Sequence, residues 1–215
     1  MIIGDLDSIS DRVLAHYQDP NRLTDKKTLI IKDSSQDSTD FGKAVSYIRD
    51  NRREDEPVQD IVAVGGLGGR VDQGISQLHH LYSFQKDAGY ADGKMYLFSG
   101  ESVTFLLKGV PESEKRAAGG GADGDESRAP KRHHRIRVRD PTAAFAPMRD
   151  PFGKHVGFLP LGQKNWITTK GLEWDVEDWE TEIGGLLSTS NHTLPETEVV
   201  DVWTRHDILF TIAVK

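Results

Sequence analysis

Cysteine is absent from the 215 residues, which excludes disulfides, thiolate metal sites and cysteine nucleophiles. Long hydrophobic runs are absent too. No apolar stretch approaches the roughly 18 residues a membrane-spanning helix needs, and no secretory signal precedes the first expected strand. Positive charge is short: 34 acidic side chains against 27 basic give a formal net charge of -7. That balance argues against a nucleic-acid-binding surface as the main business of the chain. Two common nucleotide fingerprints are missing as well. GxGxxG fails on spacing at the glycine-rich stretch 65–69, and no GK[ST] follows it. The remaining expectation is a soluble, cytoplasmic protein long enough to bury a real core.

What is present begins with Met1-Ile2-Ile3-Gly4-Asp5-Leu6-Asp7-Ser8. Two isoleucines read as the end of a buried strand, with Gly4 starting the turn at its carboxyl end, where ligands bind in open α/β folds. On an extended backbone Asp5 and Asp7 point to one side and Leu6 to the other. Paired carboxylates repel, and a hard divalent cation such as Mg²⁺ relieves the repulsion. The plain alternative is a solvated turn in which Ser8 or Asp7 caps the next helix. A helix is expected over residues 8–16, capped by Ser8 or Ser10 and broken at Asp19-Pro20-Asn21. A second strand at 28–31 leads into Gln36-Asp37-Ser38-Thr39-Asp40. There Thr39 or Ser38 is placed to cap a helix, and Asp37 and Asp40 sit at its positive end. This cluster is either a helix cap or a second acidic loop beside the first.

A third strand, 61–64, runs into Gly65-Gly66-Leu67-Gly68-Gly69-Arg70-Val71-Asp72-Gln73. Glycines between a strand and a helix make a backbone able to close around a ligand, and Arg70 is a fork donor suited to phosphate. Strands at 95–98 and 102–107 follow. The repeated order of strand, loop and helix predicts an α/β N-terminal domain over residues 1–110: a parallel, Rossmann-like, three-layer sheet. Residues 111–150 carry Gly119-Gly120-Gly121 and a basic run from Lys131 to Arg139. They read as a low-complexity, mobile inserted loop. From 151 to 215 short strands succeed one another without helices. They include an alternating one at 172–176, a stretch at 183–191 leading into a polar turn, and a closing hairpin of 198–203 with 208–214. An all-β sandwich or barrel is expected there.

Taken together these motifs resemble thiamine pyrophosphokinase in a eukaryotic, fungal-like form. The matching pieces are GDLDSI at 4–9, QDSTDFGKA at 36–44, GGLGGRVDQ at 65–73, GFLPLG at 157–162, TTKGLEWDV at 168–176, LLSTSN at 186–191 and the ending TRHDILFTIAVK. The resemblance covers nearly the whole chain apart from about 111–150. It implies transfer of a pyrophosphoryl group from ATP to the hydroxyethyl oxygen of thiamine, giving thiamine diphosphate and AMP with Mg²⁺. It implies metal binding by Asp5, Asp7 and Asp37, and catalytic roles for Asp5, Asp7, Asp37, Asp40 and Arg70. Nucleotide contacts are implied for Thr39, Lys43, Gly68, Arg70, Asp72 and Gln73, and thiamine contacts for Trp174, Ser188 and Asn191. It also implies a homodimer with shared active sites. Family members carry a strand and an ADGGA-like loop ahead of the GDLDS segment, and here nothing precedes Met1. The alternative expectation is therefore a truncated, inactive relative that binds thiamine or dimerises.

Overall fold

The computed structural model describes residues 1–19, 28–86, 93–117 and 129–215. Pro20, Asn21 and Gly119–Gly121 lie outside them. The chain forms two compact units, residues 1–57 and 58–215.

The first unit contains β1 (Ile2–Gly4), α1 (Asp11–Gln18), β2 (Ile30–Lys32) and α2 (Asp40–Asp50). β1 and β2 pair in parallel, with Ile2 opposite Ile30 and Gly4 opposite Lys32. Both helices start at the residue types expected of caps. Ser10 Oγ accepts the Val13 N–H at 3.4 Å, and Thr39 Oγ1 accepts the Gly42 N–H at 3.1 Å. α2 lies against β1 and buries Val45.

The second unit contains β3 (Ile61–Val64), α3 (Val71–Ser83), β4 (Met95–Phe98), β5 (Ser102–Leu107), α4 (Glu112–Ala117), β6 (Arg132–Arg137) and α5 (Ala146–Arg149). It continues through β7 (Phe152–Leu159), β8 (Asn165–Lys170), β9 (Trp179–Thr181), β10 (Ser188–His192), β11 (Val199–Thr204) and β12 (Ile208–Val214). A six-stranded sheet has the order β10-β7-β12-β5-β4-β3, and a four-stranded sheet the order β6-β11-β8-β9. They form a sandwich around one core. Val156, Phe158, Ile208, Phe210 and Ile212 face Ile167, Val200 and Val202 across it. Phe158 and Phe210 meet edge to face, with ring centroids 5.4 Å apart.

Four expectations need correction. The first concerns the N-terminal strands, which do not share one parallel sheet. Among the described residues only β1–β2 and β3–β4 pair in parallel. Ser99-Gly100-Glu101 is too short for a crossover, so β5 turns back antiparallel to β4. β5 then pairs with β12, so strands from before residue 110 and after residue 150 share one sheet.

Second, β11 and β12 are no hairpin. β11 pairs with β6 and β8, whereas β12 pairs with β5 and β7. The chain changes sheet at Thr204–Asp207, which stacks the apolar faces of the two strands across the core. A hairpin would set them side by side. Third, residues 132–137 of the expected loop form β6. His134 and Ile136 lie opposite Val202 and Val200, and alternate side chains carry the charges outward. Fourth, residues 172–176 turn instead of extending. The Asp175 carboxylate accepts from the Gly171 and Leu172 N–H groups and from Thr169 Oγ1 at 3.0–3.1 Å.

Candidate functional site

In the first unit β1 delivers the acidic turn. Its backbone is not extended, as the alternation argument required. Leu6 adopts φ +64°, and Asp5 Oδ1 captures the Asp7 N–H at 3.1 Å. The Asp7 side chain nonetheless lies close enough to act on the Asp5 carboxyl. The Asp7 N–H is the first cause holding Asp5 below the ordinary carboxylate value. The Asp7 side chain, the Lys43 charge and Gln36 add to it, while burial opposes. Asp5 is therefore an anion at neutral pH.

The second acidic loop closes onto this turn. Asp40, at the start of α2, accepts the Asp5 N–H at 3.2 Å and Lys43 Nζ at 3.4 Å through Oδ1. Lys43 is buried, and its ammonium also donates to the Asp33 carbonyl at 2.9 Å. Gly4 is required here. A Cβ on it would lie 2.6 Å from Asp40 Cγ, and its φ is +152°. Thr39 serves as the cap of α2. Asp37 is exposed, and its amide donates to Ser35 Oγ at 3.3 Å. Among the described residues no group of three or more His, Asp or Glu side chains is placed to hold a metal ion. The pair Asp5–Asp7 supplies the hard oxygen donors that remain. Such a pair suits Mg²⁺, which takes one or two carboxylates and fills its other positions with water and substrate phosphate.

In the second unit the glycine loop joins β3 to α3. Gly65 and Gly69 adopt φ of +79° and +68°, which other residues rarely reach, and the Gly65 N–H is tied to the Phe98 carbonyl at 2.8 Å. Gly68 lies in the same loop. Arg70 stands at the N-cap position of α3 without a side-chain capping bond, and it grips Asp72 with two bonds, Nε to Oδ1 at 3.1 Å and a terminal nitrogen to Oδ2 at 2.5 Å. That grip lowers the Asp72 carboxyl and raises the Arg70 guanidinium. Both side chains are exposed, so the pair orients Arg70 more than it stabilises the fold. Asp72 and Gln73 lie in the exposed first turn of α3, where backbone N–H groups also favour an anion.

The sandwich carries a cavity of about 400 Å³ that brings Trp174, Ser188 and Asn191 together. Phe158, Ile167, Val176 and Trp179 supply apolar walls. The pairing of β10 with β7 slips between Ser188 and Asn191, and a bulge of this kind re-aims side chains. Asn191 is buried and its amide is occupied. Oδ1 accepts the N–H groups of Trp174 at 3.2 Å and His192 at 2.8 Å, while Nδ2 donates to the Trp174 carbonyl at 2.8 Å. Asn191 therefore holds the backbone of Trp174, a residue that is 53% exposed and lines the cavity. His192 flanks that indole with centroids 5.1 Å apart, and its Nδ1 meets Glu173 Oε2 at 2.6 Å. Sequence reasoning missed Trp179 because β9 is only three residues long, too short to show a period. It missed His192 because nothing local to the motif marks it.

The basic run of β6 forms no free cationic patch. His133 and Arg135 meet Asp201, at 2.7 and 3.5 Å, and Arg137 meets Asp140 at 3.3 Å. His133 also stacks on Trp203.

Two family models match the chain in order. The thiamin pyrophosphokinase catalytic domain matches residues 1–90, and the thiamin pyrophosphokinase vitamin B1 binding domain matches residues 133–209. Thiamine pyrophosphokinase 2 of Arabidopsis thaliana is 32% identical, covering 100% of this chain and 65% of its own length. Thiamine pyrophosphokinase of Saccharomyces cerevisiae is 25% identical, covering 99% of this chain and 68% of its own length. The chain thus spans just under two thirds of its plant relatives. The crystal structure of yeast thiamin pyrophosphokinase superposes with a TM-score of 0.71 at 24% identity, over 100% of this chain and 69% of that one. The Candida albicans enzyme superposes with a TM-score of 0.70 at 22% identity, over 100% of this chain and 72% of its own. These likenesses extend the same fold across both matched regions, and the chain belongs to the thiamin pyrophosphokinase family.

Proposed function

We propose that the protein transfers pyrophosphate from ATP to thiamine. The observation that carries this reading is the match of both family domains, in order, along one chain that holds an acidic turn, a glycine loop and an aromatic cavity. In the reaction the thiamine hydroxyl oxygen bonds to the β-phosphorus of ATP. The bond from that phosphorus to the α,β-bridging oxygen breaks, AMP leaves with the oxygen, and the hydroxyl proton passes to a base. Transfer of this kind needs positioning and charge neutralisation more than covalent chemistry from the protein.

Each group has a task. Asp5 and Asp7 would hold Mg²⁺, which would neutralise phosphate charge when bound. Arg70, oriented by Asp72, and the first turn of α3 receive phosphate oxygens, with Gly68 and Gln73 beside them. Asp40 is the base we favour, since two donors fix its carboxylate while Asp37 is fixed through its amide. Lys43 holds Asp40 in place. Thiamine carries a fixed positive charge, which the Trp174 face attracts, and Ser188 offers a hydroxyl beside it. A homodimer with shared sites belongs to the same reading, and native mass measurement tests it. Among the described residues no helix is long and apolar enough to cross a membrane.

The test is to incubate the purified chain with ATP, Mg²⁺ and thiamine and to assay thiamine diphosphate and AMP together. Equal formation of both supports the proposal. Formation of neither in a folded sample overturns it.

A further inference from the structure

Trp174 gives the sandwich cavity an aromatic wall, and the Asn191 amide fixes its backbone. A fixed backbone still leaves an indole free to turn about its own side-chain bonds. Trp174 is exposed where the other three tryptophans are half-buried, so packing restrains it least. The ring that touches it belongs to His192, with centroids 5.1 Å apart and planes tilted by 45°.

His192 is itself held firmly. Its Nδ1 donates to Glu173 Oε2 at 2.6 Å, since an ionised carboxylate only accepts. Bonds to a charged acceptor are among the stronger ones. His155, its cross-strand partner on β7, meets the ring edge to face at 4.9 Å and 74°. The His192 carbonyl accepts the Glu173 N–H at 2.8 Å, and Leu172 bridges Thr193 alongside. The His192 side chain is 19% exposed against 43% for Glu173, so its ring sits in one packed position and the carboxylate reaches in to it.

Neither Glu173 nor His192 lines the cavity that Trp174 lines. Both border a separate one of about 380 Å³. The pair therefore acts on a ligand only through the indole. A half-exposed indole gains little stability from such support, because little apolar area is buried. The support matters for binding instead. An aromatic wall that must be immobilised when a ligand arrives lowers affinity, and one already held does not.

We propose that His192, clamped by Glu173 and His155, is a positioning residue that presets the Trp174 indole for an aromatic cation. This rests on the assignment of Trp174 to thiamine, and the experiment keeps the two apart. Acrylamide quenching of tryptophan fluorescence is measured on the full chain, on His192→Ala and on His192→Phe. Each is read as the difference from the same protein carrying Trp174→Phe, which isolates the Trp174 emission without any ligand. Steady-state assays with thiamine follow on the same samples, and melting curves establish that they are folded. His192→Ala should raise the quenching of Trp174 and raise KM for thiamine about two- to tenfold, with kcat changed by less than about twofold. His192→Phe keeps a flat ring against the indole and should restore part of both. A lower Tm with unchanged quenching and KM assigns His192 to stability and overturns the proposal. A raised KM with unchanged quenching also overturns it, because His192 would then act on the ligand directly. Absence of turnover in the unaltered chain overturns the enzymatic assignment alone, and the quenching difference still decides whether His192 holds the indole.

Discussion

Replacing Asn191 with alanine separates a residue that touches a ligand from one that holds a neighbour which does. The side chain makes three hydrogen bonds, two of them to the backbone of Trp174 and one to His192. Each contributes about 1 kcal/mol net. The Trp174 turn is only partly buried, so water recovers some of the loss, and we expect about 2–3 kcal/mol of destabilisation. For a chain of this size that lowers Tm by roughly 4–12 °C. On the proposed function, the indole, no longer fixed, loses part of its grip on a cation, about 0.5–2 kcal/mol, so KM for thiamine rises roughly two- to thirtyfold while kcat changes little. Scanning calorimetry and steady-state assays on the same sample read both effects. Asn191→Asp keeps the two accepting bonds and sets a carboxylate oxygen against the Trp174 carbonyl, and it should also lower Tm. An Asn191→Ala protein with raised KM and unchanged Tm would refute the argument, because the amide would then act on the ligand directly.

On the proposed function, Gly4→Ala should abolish turnover, since its Cβ would lie 2.6 Å from Asp40 Cγ and displace that carboxylate; an active variant would remove Asp40 from the proposed site. Asp7→Asn should remove turnover and leave the melting curve nearly unchanged, because the turn uses the Asp7 amide rather than its carboxylate; unchanged turnover removes Asp7 from the mechanism. Phe210→Ala should cost about 3–5 kcal/mol in denaturant unfolding, as the ring is fully buried between the sheets; a loss below about 1 kcal/mol would mean the core closes over the gap. Asp178 is held below its ordinary 3.8 first by Lys131 and then by Arg205, with burial opposing. Its stabilising effect is complete above that ordinary value and fades as pH falls through the lower folded value. Asp178→Asn should therefore flatten the fall of stability in the acid range, and an unchanged curve would show the pairing contributes nothing.

The local signals in this chain were legible because their causes are local. Ser10 and Thr39 mark helix starts by what their oxygens can accept from amides three residues on. Residues 61–64, 95–98 and 102–107 became strands at the expected positions because β-branched and aromatic runs read directly as extended backbone. The glycines after β3 announced a loop of positive φ. Beyond single elements the residues supported less. An aspartate every second position implied an extended backbone at 5–7, and a single captured N–H was enough to make it a turn.

Which strands pair is settled by burial summed over the whole core, and no window of sequence contains that sum. β11 and β12 are joined by a short connection that looks like a hairpin, yet they lie in opposite sheets because Val200, Val202, Phe210 and Ile212 bury more by facing one another. The run of histidine and arginine at 132–137 looks unable to fold, and it becomes a strand because β11 offers an edge and opposes His134 and Ile136 with valines. Asn191 could be picked out as a site residue, but its task of holding Trp174 exists only once β10 and the 171–175 turn meet. By itself the sequence determined many of the elements, the family and the residue types proposed for the site. Tertiary structure alone decided their partners, because those contacts join residues far apart in the chain and are fixed by shared burial rather than by neighbours.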